Sequence, residues 1–289
     1  MEEKNNDYPL VSIGIPTYNN KDGLKQVLDD ITKQTYHNLE IIVSNNSSDN
    51  KDIEQIVLSY VKRDNRIHYY SQSENIGSGK NFQFVLNSSN GQYFMWASDD
   101  DRWPTNAIEE YLNVFMTNPH LHFVSSNVMR VSESGQLIDI INYDQYGVKK
   151  KNKYKIYMGA AFSMEYTYWI YGLFQRDYLK TIERDVTSEF GWDYMIIMRE
   201  ILNDSYGFLP ISLFIYTYHQ INTSIRYKSE QLGINYGYKW KWTYLMINSW
   251  KKIIKSKNLK LFDKIFSSTY LLRQLIWAFD NDYKSYYRK

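Results

Sequence analysis

Three consecutive carboxylates, Asp99, Asp100 and Asp101, follow the apolar run Tyr93-Phe-Met-Trp-Ala97 with only Ser98 between. Adjacent carboxylates repel one another, so such a triplet needs either full solvation or a cation. Mg2+ and Mn2+ prefer oxygen ligands, commonly one or two carboxylates completed by substrate phosphates and water. The triplet therefore suits a cation bridging to a diphosphate. The alternative reading is a solvated turn ahead of the helix that comes after Pro104.

The elements that must hold this triplet can be read from periodicity. Val11-Ser-Ile-Gly-Ile-Pro-Thr-Tyr18 is apolar and β-branched, and Pro16 is expected to end it as a strand. Leu24, Val27, Leu28 and Ile31 then recur at the spacing of one helical face. A second strand at Leu39–Val43 leads into the turn-rich Ser44-Asn-Asn-Ser-Ser-Asp49. Helix over 52–63, strand over 67–70, a loop at Gly77-Ser-Gly79 and helix over 81–88 precede the strand at Tyr93–Ala97. This alternation predicts right-handed parallel crossovers, with polar residues gathered where the strands end, the place where open α/β sheets bind ligands. The fold class expected is α/β, with a Rossmann-like central mixed sheet flanked by helices. Further strands are predicted at Phe123–Val131 and Leu213–Tyr218, and a helix at Asp193–Leu202 with Met195, Ile196, Met198, Ile201 and Leu202 on its apolar face. The reading divides the chain into 1–125, 126–225 and a helical extension over 226–289.

Composition narrows the chemistry. With no cysteine among 289 residues, disulfides, zinc–thiolate sites and thiol catalysis are excluded, and a cytoplasmic setting fits. The segment MEEKNNDYPL lacks the basic-then-apolar layout of a signal peptide, and the longest uncharged stretch, Ser205–Ile225, contains Pro210, His219 and Asn222 and reads as strand and loop. The aromatic share of 17% suits sugar faces or membrane interfaces equally, and a codon bias towards Tyr, Asn, Lys and Ile accounts for it as well. No nucleophilic triad, phosphate-binding P-loop or GxGxxG dinucleotide motif is present.

Several motifs occur in one order along the expected sheet: Pro16-Thr-Tyr-Asn19, Gln34-Thr-Tyr36, Asn75-Ile-Gly77 and the aspartate triplet. Together they resemble family-2 glycosyltransferases of the GT-A fold, over roughly residues 10–225, and within them the bacterial enzymes that build O-antigen, capsule or other cell-surface polysaccharide. The resemblance implies a nucleotide-sugar donor, a glycan or lipid-linked glycan acceptor, an Mn2+ or Mg2+ cofactor and an inverting reaction. It assigns Pro16, Thr17 and Tyr18 to the loop against the base and ribose. Asn45 stands where the family usually has an Asp that accepts from the base; an amide both donates and accepts, which leaves the nucleotide open. Asn75, Gly77, Gly79, Lys80 and Asn81 match the segment beneath the donor. The family's Asp-x-Asp can be read as Asp99 and Asp101, or with Ser98 in its first place and Asp100 as metal ligand. The preferred assignment gives Asp100 the metal, Asp99 the ribose or sugar, and Asp101 a supporting place at the metal.

The resemblance also implies a general base at Asp193, in Gly191-Trp-Asp-Tyr-Met195, where Trp192 replaces a family Glu. Asp193 could equally be a helix cap, with Glu189 as the fallback base. His219, with Arg226 nearby, falls where relatives carry a basic residue, and joins Asp100 and Asp101 as an expected metal or diphosphate ligand. A packed histidine is the plainer alternative.

Net charge is unevenly spread. Residues 226–289 hold 14 Lys and Arg against 4 Asp and Glu, while the rest hold 20 against 28. With Trp240, Trp242, Trp250 and Trp277 among the lysines, the extension over 239–289 reads as a peripheral anchor on the anionic inner face of the plasma membrane, or as a helical cap on the catalytic domain. The acidic body argues against nucleic acid. Two rivals to catalytic transfer of a sugar stay open: an inactive sugar- or partner-binding module, for which Asn45 and Trp192 speak, and a sugar-nucleotide nucleotidyltransferase, whose Gly-rich basic loop after the first strand is missing.

Overall fold

The computed structural model describes residues 8–46, 51–146, 156, 164–183 and 192–219, with isolated positions between 247 and 279. Glu189, Arg226 and the four tail tryptophans lie outside the described residues.

One eight-stranded mixed sheet runs through the described chain in the order β3-β2-β1-β4-β7-β5-β6, with β8 on the other flank of β5. Its strands are β1 (Val11–Thr17), β2 (Leu39–Asn45), β3 (Ile67–Ser71), β4 (Tyr93–Trp96), β5 (Phe123–Ser132), β6 (Leu137–Ile141), β7 (Leu173–Gln175) and β8 (Tyr206–Tyr218). Helices α1 (Lys21–Thr32), α2 (Lys51–Val61), α3 (Ser78–Asn87) and α4 (Ala107–Thr117) connect the first strands; α5 (Arg176–Glu183) and α6 (Trp192–Asn203) come after β7. Every residue of β1 and β2 is buried, as expected of central parallel strands covered on both faces. The predicted apolar face of α1, Leu24, Val27, Leu28 and Ile31, is fully buried.

Two boundaries differ from the sequence reading, each for a local reason. Strand β1 passes through Pro16 and ends at Thr17. Gly14 O accepts from Ala97 N at 2.9 Å, so even-numbered positions of β1 turn their backbone towards β4. The β1–β4 pairing stops at Gly14↔Trp96, and Pro16 therefore removes no ladder donor. Strand β8 starts at Tyr206, seven residues before the predicted Leu213. Its parallel register against β5 jumps from Ser126↔Leu209 to Asn127↔Ser212, so that Pro210 and Ile211 bulge out of the ladder.

Strand β5 runs through the boundary drawn at residue 125 between the two halves. Strand β7 pairs antiparallel with both β4 and β5, joining the two halves edge to edge.

Candidate active site

The polar ends of β1, β2, β3 and β4 meet at one edge of the sheet. Strand β1 has β2 on one side and β4 on the other, both parallel to it, so the strand order reverses between β1 and β4, the kind of switch point at which open α/β sheets form a ligand crevice. The Asp loop closes over that crevice. Thr17 Oγ1 donates to Asp99 Oδ2 at 2.6 Å, Tyr18 N donates to the same oxygen at 3.3 Å, and Asn20 Nδ2 donates to Asp99 O at 2.8 Å. Asn20 also caps α1, its side chain accepting from Gly23 N. A Cβ on Gly23 would lie 2.0 Å from Asp99 O, so the start of α1 approaches the loop as closely as only glycine allows.

The three aspartates face different ways. Asp99 turns back onto the β1 loop. Asp101 is 2% exposed and accepts from Thr217 N of β8 at 3.0 Å. Asp100 accepts from the Ser98 hydroxyl and lies with Oδ2 3.8 Å from His219 Nε2. Arg102 anchors the C-terminal end of the loop: its guanidinium takes both oxygens of Asp30 on α1 at 2.5 and 2.7 Å, and its backbone exchanges two hydrogen bonds with Ile215. Burial, then the charge of Asp100, pushes the Asp99 carboxyl up to about 7; the same two causes, burial first, raise Asp101 well above the carboxylate range. The loop thus concentrates negative charge in a partly dry place, which favours a cation or a proton there.

The floor beside it is amide-rich. Asn45, at the end of β2 beside Thr17, is fully buried and donates to the Tyr69 hydroxyl at 3.2 Å. Its neighbour Asn46 reaches across to the next loop, donating to Asn75 Oδ1 and accepting from Ile76 N, both at 2.9 Å. Asn75 Oδ1 in turn accepts from Gly77 N, and Gly77 opens α3 with φ +86°. Ser44 and Asn81 exchange hydrogen bonds that fix α3 to β2. Lys80 is exposed on the first turn of α3.

On the far wall Asp193 opens α6, its carboxyl accepting from Tyr194 N at 2.8 Å. Burial raises that carboxyl above the usual range. Trp192 packs edge-on against Phe82 of α3 and Trp96 of β4, with ring centroids 5.5 and 5.4 Å apart, which ties the start of α6 to the donor side of the sheet. Tyr171, at the end of a short 3-10 helix, is within hydrogen-bonding reach of Ser98. Burial pushes its hydroxyl up, and the charges of Asp101, Asp100 and Asp193 add to that.

A family model described as Glycosyl transferase family 2 matches residues 12–183 of this chain. The chain belongs to glycosyl transferase family 2. Among curated relatives, a Rickettsia typhi protein described as an uncharacterised glycosyltransferase is 36% identical over 152 residues, 52% of this chain and 44% of the relative, so the match covers less than half of that longer protein. A Methanocaldococcus jannaschii protein with the same description is 27% identical over 281 residues, 93% of each chain. A Bacillus subtilis glycosyltransferase named for teichuronic acid biosynthesis is 27% identical over 131 residues, 45% of this chain and 51% of its own. The crystal structure of Staphylococcus aureus TarS residues 1–349 with UDP-GlcNAc superposes with a TM-score of 0.64 at 15% identity, over 96% of this chain and 73% of that one. A mannosyltransferase from Pyrobaculum calidifontis, solved with GDP-Man and Mn2+, gives 0.58 at 16% identity, over 95% and 73%. The likeness is one of fold, and that fold is GT-A.

Seen as a family-2 chain, the site gathers Thr17, Tyr18, Asp99, Asp100, Asp101 and His219 around one crevice, with Asn45, Asn75 and Gly77 along the adjoining strand ends. Asn46, Ser98, Tyr171 and Glu133 were not singled out by sequence for the contacts they make. Asn46 carried a signal in its place within the Asn-Asn pair after β2; the others depend on which distant segments the sheet sets side by side. Among the described residues no group of three or more His, Asp or Glu side chains could hold a metal by itself. Among the described residues, Asp100 and His219 are the pair placed to share an ion, leaving other positions to phosphate oxygens and water, as hard cations usually take them. Two ligands each about 2.1 Å from one ion stand no more than about 4.2 Å apart, and the separation of 3.8 Å lies within that reach. The pair is close enough to share a divalent cation.

Proposed function

We propose that this protein is an inverting glycosyltransferase that moves a sugar from a nucleotide-sugar donor to a hydroxyl of a glycan or lipid-linked glycan acceptor in cell-surface polysaccharide synthesis. The observation that carries the reading is the geometry of the Asp loop at the strand ends of a family-2 sheet, where Thr17, Tyr18 and Asn20 hold Asp99 and Asp100 faces His219. The two functions an inverting transferase needs then have candidates in Asp100, for the grip on the leaving diphosphate, and Asp193, for the base that meets the attacking hydroxyl.

In this reading Pro16, Thr17, Tyr18 and Asn45 line the nucleotide, Asn75, Gly77 and Lys80 run beneath it, and Asp99 holds the ribose or sugar. Asp100 and His219 hold Mn2+ or Mg2+ with Asp101 behind them, and the cation when bound offsets charge on the departing diphosphate. Asp193 takes the proton of the acceptor hydroxyl as that oxygen attacks the anomeric carbon. The polysaccharide role is supported by the Bacillus subtilis relative's name. For the tail, Leu272, Ile276 and Phe279 are exposed, which supports contact with a membrane surface, whereas Ala278 is buried and Leu275 packs against the core. No helix among the described residues is long and apolar enough to cross a membrane.

The test is transfer and donor hydrolysis with UDP-, CDP-, GDP- and dTDP-sugars, with and without Mn2+, alongside donor binding. One nucleotide class is expected to bind and turn over in an Mn2+-dependent way, and Asp193→Ala is expected to lose roughly 10²–10⁴-fold in kcat while binding donor normally. Near-normal turnover in Asp193→Ala would remove the assigned base. Donor binding without transfer or hydrolysis for every sugar would leave the inactive binding module.

A further inference from the structure

We propose that Glu133, in the turn between β5 and β6, is a positioning residue that fixes the ring of His219 as a nitrogen ligand for the divalent cation; the inference rests on the cation site proposed above. Strands β5 and β8 run parallel, and their last paired positions are Ser132↔Tyr218. The next residue on each strand, Glu133 and His219, are 86 apart in sequence yet emerge side by side. Glu133 Oε1 lies 2.9 Å from His219 Nδ1, and the opposite ring nitrogen, Nε2, points to Asp100 Oδ2 at 3.8 Å.

The chemistry of the two partners decides the tautomer. A carboxylate only accepts, so in the neutral ring the proton sits on Nδ1 and is donated to Glu133. Nε2 is then left with its lone pair facing the Asp100 carboxylate. Two lone-pair atoms facing each other at that distance make no hydrogen bond, but they form the two sides of a cation site. Histidines that bind metals commonly donate their second N–H to a carboxylate or carbonyl in this way, which orients the ring and raises its basicity.

The turn that carries Glu133 is built to hold still. Ser132 N donates to Gln136 O and Gly135 N to Ser132 O, both at 2.8 Å; Gln136 N donates to Ser132 Oγ at 3.1 Å. Gly135 has φ +80°, a conformation that suits glycine. On the other side of the proposed ion, Ser98 donates to Asp100, so each of the two ligands has its own second contact. Glu133 and His219 are both substantially exposed, with side chains 61% and 36% accessible, so their ion pair adds little to fold stability. Variants at Glu133 therefore stay folded, and a metal effect is separable from unfolding.

The experiment measures Mn2+ binding by the full-length chain, alone and with UDP, by electron paramagnetic resonance, with pulsed detection of nitrogen coupled to bound Mn2+. Wild type is expected to show an imidazole nitrogen signal that His219→Ala abolishes. Glu133→Ala is expected to weaken Mn2+ binding by roughly 10- to 100-fold and to diminish the nitrogen signal. Glu133→Gln, whose amide oxygen still accepts from Nδ1–H, is expected to restore most of both. Unchanged affinity and nitrogen coupling in Glu133→Ala would overturn the proposal, as would wild-type Mn2+ bound with no nitrogen signal. Asp100→Asn separates the two levels: if that variant binds Mn2+ as wild type does, the underlying cation site is wrong; if it loses Mn2+ while Glu133→Ala does not, only the role of Glu133 falls.

Discussion

A single residue can be the same in type as its neighbours and differ in everything that matters chemically. Asp99, Asp100 and Asp101 were legible in the sequence as a charged triplet, but three identical letters carry no direction. Their roles diverge because Thr17, at the end of β1, meets Asp99, while Thr217 and His219, at the end of β8, meet Asp101 and Asp100. Asp193 shows the same principle in a form that kinetics can read. A base works only when deprotonated, and burial raises this carboxyl above its ordinary range. The acidic limb of kcat/KM is therefore expected above the normal carboxylate range near 4, with activity rising as pH increases through the shifted value. The sign for stability is opposite: a carboxyl whose pKa is raised by folding contributes stability below its unfolded pKa and loses it as pH climbs through the folded one. Asp193→Asn should abolish the kinetic limb and also flatten that loss in a denaturant series from pH 4 to 8. An acidic limb that stays in place in Asp193→Asn, measured on residual activity, would assign it to another group.

At the scale of elements, the apolar pattern announced α1, which buries one regular face, and β2, β4 and α6, whose apolar runs are buried nearly throughout. It did not announce β6 or β7. Strand β7 is three residues long, and β6 exposes Leu137, Ile138 and Ile140, so neither has the alternation that marks a half-buried strand. A polar clasp holds the parallel strands at the end of the sheet remote from the site. Glu40 on β2, 9% exposed, accepts from Ser12 Oγ of β1 at 2.5 Å, from Asn90 N at 2.9 Å and from Asn90 Nδ2 at 2.7 Å. Burial pushes this carboxyl up, but the hydrogen bonds from Ser12 and Asn90 outweigh it and bring the net value below the ordinary one. A group with a depressed folded pKa stabilises above its unfolded pKa, near 4.5, and loses that contribution as pH falls through the folded value. Glu40→Ala leaves Ser12 and Asn90 without their acceptor, and is expected to cost about 1–3 kcal/mol at pH 7. The deficit should shrink towards pH 3, and donor affinity at permissive temperature should not change. Urea denaturation at both pH values checks this; a deficit independent of pH would mean that the clasp acts by shape rather than charge.

For the molecule as a whole, the sequence placed nearly all the donor-side residues before position 125, in one half of the domain. The structure ties that half to residues beyond it. Strand β8 lies across the Asp loop: its Ile215 exchanges two backbone hydrogen bonds with Arg102, and Thr217 N supplies Asp101 with a donor. The alternation of 215 and 217 along one edge of β8 matches the alternation of a strand's backbone groups, so the loop borrows the edge of β8 that faces away from β5. No local pattern could reveal this, because the two segments are 116 residues apart. A fragment of residues 1–125 is therefore expected to bind neither donor nor Mn2+, although it contains Thr17, Asn45, Asp99 and Asp100. That loss alone could come from the exposed edge of β4 left by removing β7. Thr217→Pro in the full chain isolates the cause, since it deletes one N–H and leaves the buried Asp101 unpaired, a penalty on the order of 1–3 kcal/mol. Hydrogen exchange should then rise in residues 98–103 while β1 and β2 stay protected, and calorimetry should show weaker donor binding. If Thr217→Pro left both measurements as in wild type, the Asp loop would owe its shape to Thr17, Asn20 and Asp30 alone, and β8 would be only a neighbour.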